Sequence, residues 1–241
     1  MAIPRFFYRF PLADAVQVEL APAAARHAAK VLRLRRGDEI VLFDGAGGEY
    51  EASIAGIGRD AVIADVGRFH ALTRQSTLRI CLAQGLASGD KMGSILQKAV
   101  ELGVSRFQPL ATRKSVIRLT EERAARRAQH WQQVTIAACE QSGANCIPDV
   151  LPVEDFDSWL ASGSGLRLLL LPAAAQKLSD VQRPQSEVML LAGPEGGLAD
   201  SEVAAALAAG FIPVRVGPRI LRTETAGLAA LAAMQALWGD F

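Results

Sequence analysis

The sequence has few of the features that mark secreted, membrane or metal-binding proteins. Its 241 residues include three cysteines and no CxxC pair, so they provide neither a disulfide framework nor a zinc motif. No apolar run approaches the length of a membrane-spanning helix, and the first residues lack the apolar segment of a signal peptide. We therefore expect a cytoplasmic location, no metal and no membrane contact.

Neither sign of charge is in excess. Lysine and arginine total 26 and the acidic residues 25, which leaves a net charge of +1. Any binding of nucleic acid must then come from local basic patches rather than from bulk charge. Half of the residues are hydrophobic, which indicates a globular chain with one large core or two smaller ones.

Two nucleotide-binding motifs are also missing. No GxGxxG follows a predicted strand with an acidic residue at the expected distance, which argues against a dinucleotide-dependent oxidoreductase. The absence of GxxxxGK[ST] excludes a P-loop nucleotidase. The glycine-rich residues 45–48 precede no helix pattern and are predicted to form a hairpin turn.

The hydrophobic period divides the chain into two predicted domains. Residues 1–72 contain short alternating runs separated by turns, with one helix predicted at 23–34, which is typical of a small β-barrel or sandwich. In residues 73–241 strands alternate with helices, which predicts an α/β domain built around a parallel sheet.

The most informative stretch lies near the carboxyl end. An apolar strand pattern at 188–192 stops at Gly-Pro-Glu-Gly-Gly (193–197), whose glycines let backbone groups approach a ligand closely. A second strand pattern, 211–216, runs into Gly-Pro-Arg-Ile-Leu-Arg (217–222), and a helix begins directly after it. Small ligands bind at the carboxyl edge of parallel sheets, so both loops are predicted to face one ligand.

This ordered pair of loops, GPEGG followed by VGPRILRTETA, resembles the RsmE family of 16S ribosomal RNA uracil-N3 methyltransferases, in the SPOUT or trefoil-knot superfamily. The resemblance extends to Pro-Arg-Phe-Phe at 4–7, to His27 with Val-Leu-Arg at 31–33, and to the block from Lys91 to Val104. It implies a PUA-like β-barrel that binds RNA, followed by a SPOUT-type parallel sheet with a C-terminal trefoil knot. It also implies a homodimer that transfers a methyl group from S-adenosylmethionine to N3 of a specific uridine of 16S rRNA in the small ribosomal subunit.

The resemblance places the cofactor site on the two loops and the strands before them. Backbone groups of the loops are expected to contact the adenine edge, and leucine and isoleucine side chains to sandwich the base. The expected contacts to S-adenosylmethionine are Leu171, Leu191, Gly193, Pro194, Glu195, Gly196, Gly197, Val216, Gly217, Pro218, Ile220, Leu221 and Thr223.

Arg222 and Glu224 are the expected catalytic residues. Uracil N3 must lose a proton when it attacks the methyl group, so a base or a cation that stabilises the enolate is expected. Glu224 is predicted to accept the proton, and Arg222 to stabilise a uracil oxygen or orient a phosphate. The alternative is structural: Thr223 caps the last helix, and Glu224 is favoured in the first turn by the helix dipole.

Two basic clusters supply the expected RNA contacts, one in each predicted domain. The chosen residues are Arg5, Arg26, His27, Lys30 and Arg33 in the first, and Arg113 and Lys114 in the second, near Arg118. For each cluster a solvated helix face is the alternative to phosphate contact. An RNA-binding factor without catalysis is the alternative for the whole protein.

One segment departs from the family pattern. The family usually has arginines on both sides of the residue that corresponds to Asn145, whereas this sequence has Ala144 and Cys146. This departure weakens the phosphate or substrate contact that the resemblance implies for this segment, although Glu140, Gln141 and Asn145 are retained.

Overall fold

A computed structural model describes residues 3–59, 61–117, 119–162 and 164–241. The chain divides into two compact units, residues 1–75 with 139–147, and residues 76–138 with 148–241. The short segment 139–147 thus belongs to the first unit, although it follows the start of the second in sequence. A domain limit between residues 72 and 73 stays a prediction.

The first unit is built around a five-stranded sheet. Its strands are β1 (Arg5–Phe7), β2 (Gln17–Glu19), β3 (Glu39–Phe43), β4 (Glu49–Ile57) and β5 (Val62–His70), in the order β1-β3-β4-β5-β2. Strand β1 runs parallel to β3, and the other pairs are antiparallel. The β-rich prediction is confirmed, and so is the hairpin connection between β3 and β4.

The helix of the first unit is shorter and less regular than predicted. Helix α1 (Pro22–Arg26) continues into a π-helical turn, His27–Val31. The amide of Leu32 donates to the carbonyl of His27 at 3.0 Å, which is the wider hydrogen bond of a π turn. Arg33 then adopts a left-handed backbone conformation, with φ of 53°. The sequence pattern did not predict this irregular end, because apolar spacing does not distinguish an α turn from a π turn.

The second unit contains a parallel sheet with helices between its strands. The strands are β6 (Ile80–Gly85), β7 (Arg106–Ala111), β8 (Asp149–Val150), β9 (Glu154–Asp155), β10 (Leu166–Leu170), β11 (Val188–Ala192) and β12 (Ile212–Val214). The helices are α2 (Lys91–Glu101), α3 (Glu121–Ser142, its last four residues in the first unit), α4 (Phe156–Leu160), α5 (Asp200–Ala208) and α6 (Thr223–Trp238). The sheet order is β12-β10-β11-β6-β7-β8, and β9 also pairs with β7. The predicted parallel α/β sheet is confirmed.

Strands β6 and β11 lie side by side near the centre of this sheet, and every residue of both is buried. Burial on both faces explains why their sequences are nearly continuous apolar runs without alternation. Loops that follow the two strands therefore start from the buried centre of the sheet.

Helix α6 is anchored by a buried glutamine. Gln235 is fully buried, accepts a hydrogen bond from the Ser76 hydroxyl at 2.7 Å and donates to the carbonyl of Leu102 at 3.1 Å.

No helix in the described ranges is long and apolar enough to span a membrane. A knot formed by the end of the chain stays a prediction from the resemblance.

The left-handed Arg33 generates a stability prediction. A side chain in this conformation costs roughly 1–2 kcal/mol relative to glycine, and the greater flexibility of glycine offsets roughly 0.5–1 kcal/mol of that. Arg33→Gly should therefore stabilise the first unit by roughly 0.5–1 kcal/mol. Chemical denaturation, followed by the transition of this unit, measures the change. Gly37→Ala is the matched opposite, because Gly37 has φ of 90° and open space around it, and it should destabilise. A less stable Arg33→Gly protein would contradict the assigned strain.

Candidate functional site

A cavity of about 450 Å³ opens at the carboxyl ends of β10, β11 and β12. All but two of the expected cofactor contacts line it, and so does Arg222. The expected residues on its walls are Leu171, Gly193, Pro194, Glu195, Gly196, Gly197, Val216, Gly217, Ile220, Leu221 and Thr223. Loops that are some twenty residues apart in sequence thus meet at one sheet edge, as parallel strands require.

Leu191 and Pro218 are the two expected cofactor contacts that the structure places elsewhere. Leu191 is fully buried and shares with Met189 the face of β11 that packs on the side chains of Phe156 and Trp159. Only the next residue, Ala192, reaches the cavity. Pro218 lines a separate cavity. Leu191 is inaccessible because successive side chains of a strand point to opposite faces of the sheet, whereas Pro218 is exposed but lines the other cavity.

Other residues of the cavity wall were missed by the sequence analysis. They are Leu170, Pro172, Ala192, Leu198, Val214, Arg215 and Ala226; of these, only Pro172 carried a signal, as the proline that ends a strand. Arg219, within the second predicted loop, also lines the cavity. The Arg215 guanidinium donates to the carbonyls of Ala174 and Ala175 and so holds the loop after β10 against β12. That pairing depends on strand order, which local sequence does not reveal.

The loop from Gly193 to Gly197 is a tight turn pressed against the end of β6. The amide of Gly197 donates to the carbonyl of Pro194 at 2.8 Å, and Gly197 has φ of 67°. A Cβ atom at Gly85 would lie 2.5 Å from Pro194 Cδ and 2.8 Å from its nitrogen. Glycine at position 85 is therefore what lets the loop sit directly on the central strand.

Gln84 is the residue of this region for which the sequence carried no signal. Its side chain is fully buried, and its amide nitrogen lies 3.1 Å from the carbonyl oxygens of Gly85 and Gly193 and from the hydroxyl of Thr223. Three oxygen acceptors around one group fix the orientation of the amide, because the reverse orientation would bring four oxygens together. Gln84 thereby joins both ligand loops to the central strand.

The hydroxyl of Thr223 is directed into the same network. It donates to the carbonyl of Gly193 at 2.7 Å, so it connects the start of α6 to the glycine loop. Thr223 is also the first residue of α6, preceded by Arg222 at the capping position. The alternative of a capping threonine is therefore wrong.

A small charged cluster lies beside the glycine loop. One carboxylate oxygen of Glu195 accepts hydrogen bonds from the amide and hydroxyl of Ser88, at 2.9 and 2.6 Å, and from Lys91 Nζ at 3.0 Å. Partial burial acts to raise the pKa of Glu195, but the hydrogen bonds from Ser88, from its own backbone amide and from Lys91 outweigh it. The pKa of Glu195 is consequently lowered to about 2.

Glu224 lies on the side of this cluster and not on the cavity wall. Its Oε2 atom is 3.8 Å from Lys91 Nζ, and this buried oxygen accepts no hydrogen bond from the described residues. Glu224 is therefore not held by the hydrogen bonds that fix Glu195. Arg222, by contrast, is exposed and lines the cavity directly.

The basic pair Arg113 and Lys114 lies next to the glycine loop. Buried Glu202 accepts hydrogen bonds from the backbone amides of Arg113 and Ala199, each at 2.7 Å. This bridge holds the loop after β7 at the start of α5 and brings Lys114 against Gly196, whose Cβ would lie 3.2 Å from that of Lys114. Both basic side chains are exposed. Arg118 lies outside the described residues.

In the first unit the structure separates Arg5 from the other expected RNA contacts. The Arg5 side chain is 11% exposed and forms an ion pair with buried Glu49, which also binds Arg74. It donates to the carbonyl of Gly143 at 3.2 Å as well. Arg5 therefore stabilises the unit internally, and its assignment to RNA is withdrawn. The remaining predicted residues are all exposed: Arg26, His27, Lys30 and Arg33.

A larger cavity, of about 890 Å³, lies between β7, α3 and α4. Its floor is apolar, while Glu121, Glu154, Asp155 and Asp157 lie at its walls with Arg113 as their basic neighbour. Size alone would favour it, but carboxylates oppose a polyanion, and it lacks the paired glycine loops. In the described ranges no cluster of His, Cys, Asp and Glu side chains could hold a metal ion.

Two family models match the chain. An RNA methyltransferase domain matches residues 74–235, and an RNA methyltransferase PUA domain matches residues 20–67. Ribosomal RNA small subunit methyltransferase E of Synechocystis is 33% identical over 91% of this chain and 73% of its own length. This chain belongs to the RsmE family of RNA methyltransferases. The Bacillus subtilis member is 30% identical over 90% of this chain and 91% of its own length.

Solved structures of two relatives agree with this RsmE fold over the full length of both chains. Ribosomal RNA small subunit methyltransferase E from Neisseria gonorrhoeae, bound to S-adenosylmethionine, is 40% identical with a TM-score of 0.93. A putative methyltransferase from Legionella pneumophila, in complex with the same cofactor, is 34% identical with a TM-score of 0.96. The first unit is thus PUA-like and the second is a SPOUT-like methyltransferase sheet.

The close contact between Gly85 and Pro194 generates a prediction for this RsmE methyltransferase. Gly85→Ala should push the glycine loop away from β6, cost about 1–3 kcal/mol of stability by overpacking and weaken ligand binding in the cavity. Thermal unfolding and calorimetric titration with S-adenosylhomocysteine measure the two effects. Gly93→Ala is the control, because Gly93 lies in α2 with open space around it; it should leave binding unchanged. Equal affinities in both variants would contradict the contact.

The lowered pKa of Glu195 generates a prediction about pH. A depressed folded-state pKa contributes stability above the ordinary value of 4.5, and this contribution is lost as the pH falls through about 2. Glu195→Gln should therefore lower the unfolding temperature most at neutral pH, and the difference from the parent protein should shrink between pH 4.5 and 2. Thermal unfolding across this range measures it. A difference independent of pH would show that the ionised carboxylate contributes nothing.

Proposed function

We propose that this methyltransferase binds S-adenosylmethionine in the 450 Å³ cavity and methylates N3 of the uridine that corresponds to U1498 of 16S rRNA. The observation that carries the proposal is the convergence of both glycine-containing loops on one cavity, at the residues expected from the resemblance. The cofactor in two full-length structural relatives supports the choice of ligand.

The cavity offers the two kinds of surface that a nucleoside needs. Backbone groups of Gly193–Gly197 and of Val216–Leu221 provide donors and acceptors for the polar edge of adenine, each worth about 0.5–1.5 kcal/mol net. Leu171, Leu221 and Ile220 provide apolar surface for its faces. Ile220 is 85% exposed in this structure, so a base packed on it would remove a large apolar side chain from water.

Arg222 is the proposed electrostatic catalyst. The bound cofactor supplies a methyl group on a sulfonium centre, so the protein's task is to present a deprotonated N3. Arg222 lines the cavity and donates in our proposal to a uracil oxygen, where negative charge accumulates when N3 loses its proton. Planar donors of a guanidinium suit this oxygen well.

Glu224 is the proposed proton acceptor. Its Oε2 has no hydrogen-bond donor among the described residues and lies 3.8 Å from Lys91 Nζ. Because Glu224 does not line the cavity wall, this role requires the uracil to enter from the Lys91 side. Such a base typically contributes a rate factor of 10²–10⁴.

The partners belong to the same proposal. The exposed basic residues contact RNA phosphates in this proposal, and the target is 16S rRNA in the small ribosomal subunit; these residues are Arg26, His27, Lys30, Arg33, Arg113 and Lys114. A homodimer and a cytoplasmic location are likewise proposed from the resemblance.

The proposal predicts that small ribosomal subunits from cells lacking this protein will gain 3-methyluridine when incubated with it and S-adenosylmethionine. Mass spectrometry of digested 16S rRNA detects the product and its position. The cofactor alone, at a hundredfold its dissociation constant, should also stabilise the protein by about 2.7 kcal/mol. RNA binding without a shift by the cofactor or by S-adenosylhomocysteine would favour the non-catalytic factor instead.

Two variants separate the proposed roles within that experiment. Arg222→Ala and Glu224→Gln should each reduce methyl transfer by about 10²-fold or more while keeping the cofactor-induced shift. Arg183→Ala and Glu122→Gln are controls on exposed residues of the same unit that do not line this cavity, and should transfer normally. Full turnover by both site variants would remove the assigned roles.

A further inference from the structure

The end of the helical segment in the first unit exposes apolar side chains among basic ones. Val31 is 66% exposed and Leu32 39% exposed. Their exposed neighbours in sequence are Lys30, Arg33, Arg35 and Arg36. We call residues 30–36 the basic tip. A solvated charged face does not require two adjacent large apolar side chains in water, so the tip resembles a contact surface.

The backbone of the basic tip is held in an irregular shape. The π turn His27–Val31 precedes Arg33, the only residue other than glycine with positive φ in the described ranges. The amide of Leu34 closes the turn by donating to the carbonyl of Ala28 at 3.0 Å. Both features cost stability, and such irregularities concentrate where a segment binds something.

The charge of the basic tip is largely unneutralised. In the described parts of the chain no ion pair forms with Arg26, Lys30, Arg33, Arg35 or Arg36. Asp38 is the nearest carboxylate in sequence, and it accepts a hydrogen bond from the backbone amide of Arg35 at 2.7 Å. The basic side chains therefore suit a polyanion. The apolar side chains of Val31 and Leu32 suit an apolar surface, which phosphate does not provide.

We propose, on the basis of the methylation of RNA proposed above, that Val31 and Leu32 pack against the face of an unpaired RNA base while Lys30 and Arg33 bind the flanking phosphates. Single-stranded and bulged RNA offers unstacked base faces that an apolar side chain can cover, and leucine is among the residues that wedge against bases in nucleic-acid complexes. The tip thus recognises RNA with an accessible base, and not phosphate charge alone.

Two probes separate the base contact from the phosphate contacts. The first is 16S rRNA from cells lacking this protein, and the second is inorganic polyphosphate, which has the charge without bases. Val31→Ser with Leu32→Ser should weaken rRNA binding about tenfold, with the same salt dependence and unchanged polyphosphate binding. Lys30→Ala with Arg33→Ala should weaken both probes and lower the salt slope by about 0.7 for each lost contact to a single strand.

Val16→Ser is the matched control, because Val16 is 80% exposed in the same unit but outside the tip; it should bind both probes normally. If the Val31/Leu32 variant loses binding to both probes equally, or loses binding to neither, the base contact is overturned. A changed oligomeric state in that variant would do so too, since it would show that the tip covers a protein surface. Methyl transfer is measured separately. If the Val31/Leu32 variant selectively loses rRNA binding but the parent protein methylates no RNA, only the proposed function is contradicted.

Discussion

The ligand cavity depends on one buried amide. Gln84, at the end of a central strand, bonds to the carbonyl of Gly193 and the hydroxyl of Thr223, and that hydroxyl bonds in turn to Gly193. These contacts fix the glycine loop relative to the start of the last helix. A buried polar group left without its partner costs about 1–3 kcal/mol, so the two loops hold their separation before any ligand arrives.

Two carboxylates beside this network, those of Glu195 and Glu224, differ in their hydrogen-bond partners. Lys91 lies between Glu195 and Glu224, but it is closer to Glu195, which Ser88 also binds. Glu195 is thereby committed to holding the glycine loop, whereas Glu224 keeps an oxygen without a donor. Two carboxylates near one lysine thus differ in availability because, among the described residues, backbone donors bind Glu195 and none binds Oε2 of Glu224. In the first unit, the charge of Arg5 is likewise neutralised by Glu49, so Arg5 is not available to bind RNA.

Much of the site was predictable because loop motifs carry their chemistry locally. Glycines after apolar strands predicted the cavity, and nearly all named positions line it. The differences at Leu191 and Arg5 share a cause: their residue types suit the assigned roles, but burial depends on neighbours far away in sequence. Gln84 was missed for the same reason, since a glutamine within an apolar run has no distinctive spacing and acquires its role only from Gly193 and Thr223, 109 and 139 residues later. Pro218 differs because it is exposed on a separate cavity.

The amino-acid sequence by itself determined the two kinds of architecture, the succession of strands and helices, and the family to which the loops belong. It could do so because hydrophobic period and glycine placement act over a few residues. Tertiary structure alone decided which charges are neutralised, which apolar residues reach the cavity and where the helix of the first unit unwinds into a strained basic tip. Those outcomes follow from the order of strands and the partners of each buried polar group, and contacts between distant segments exist only once the chain has folded.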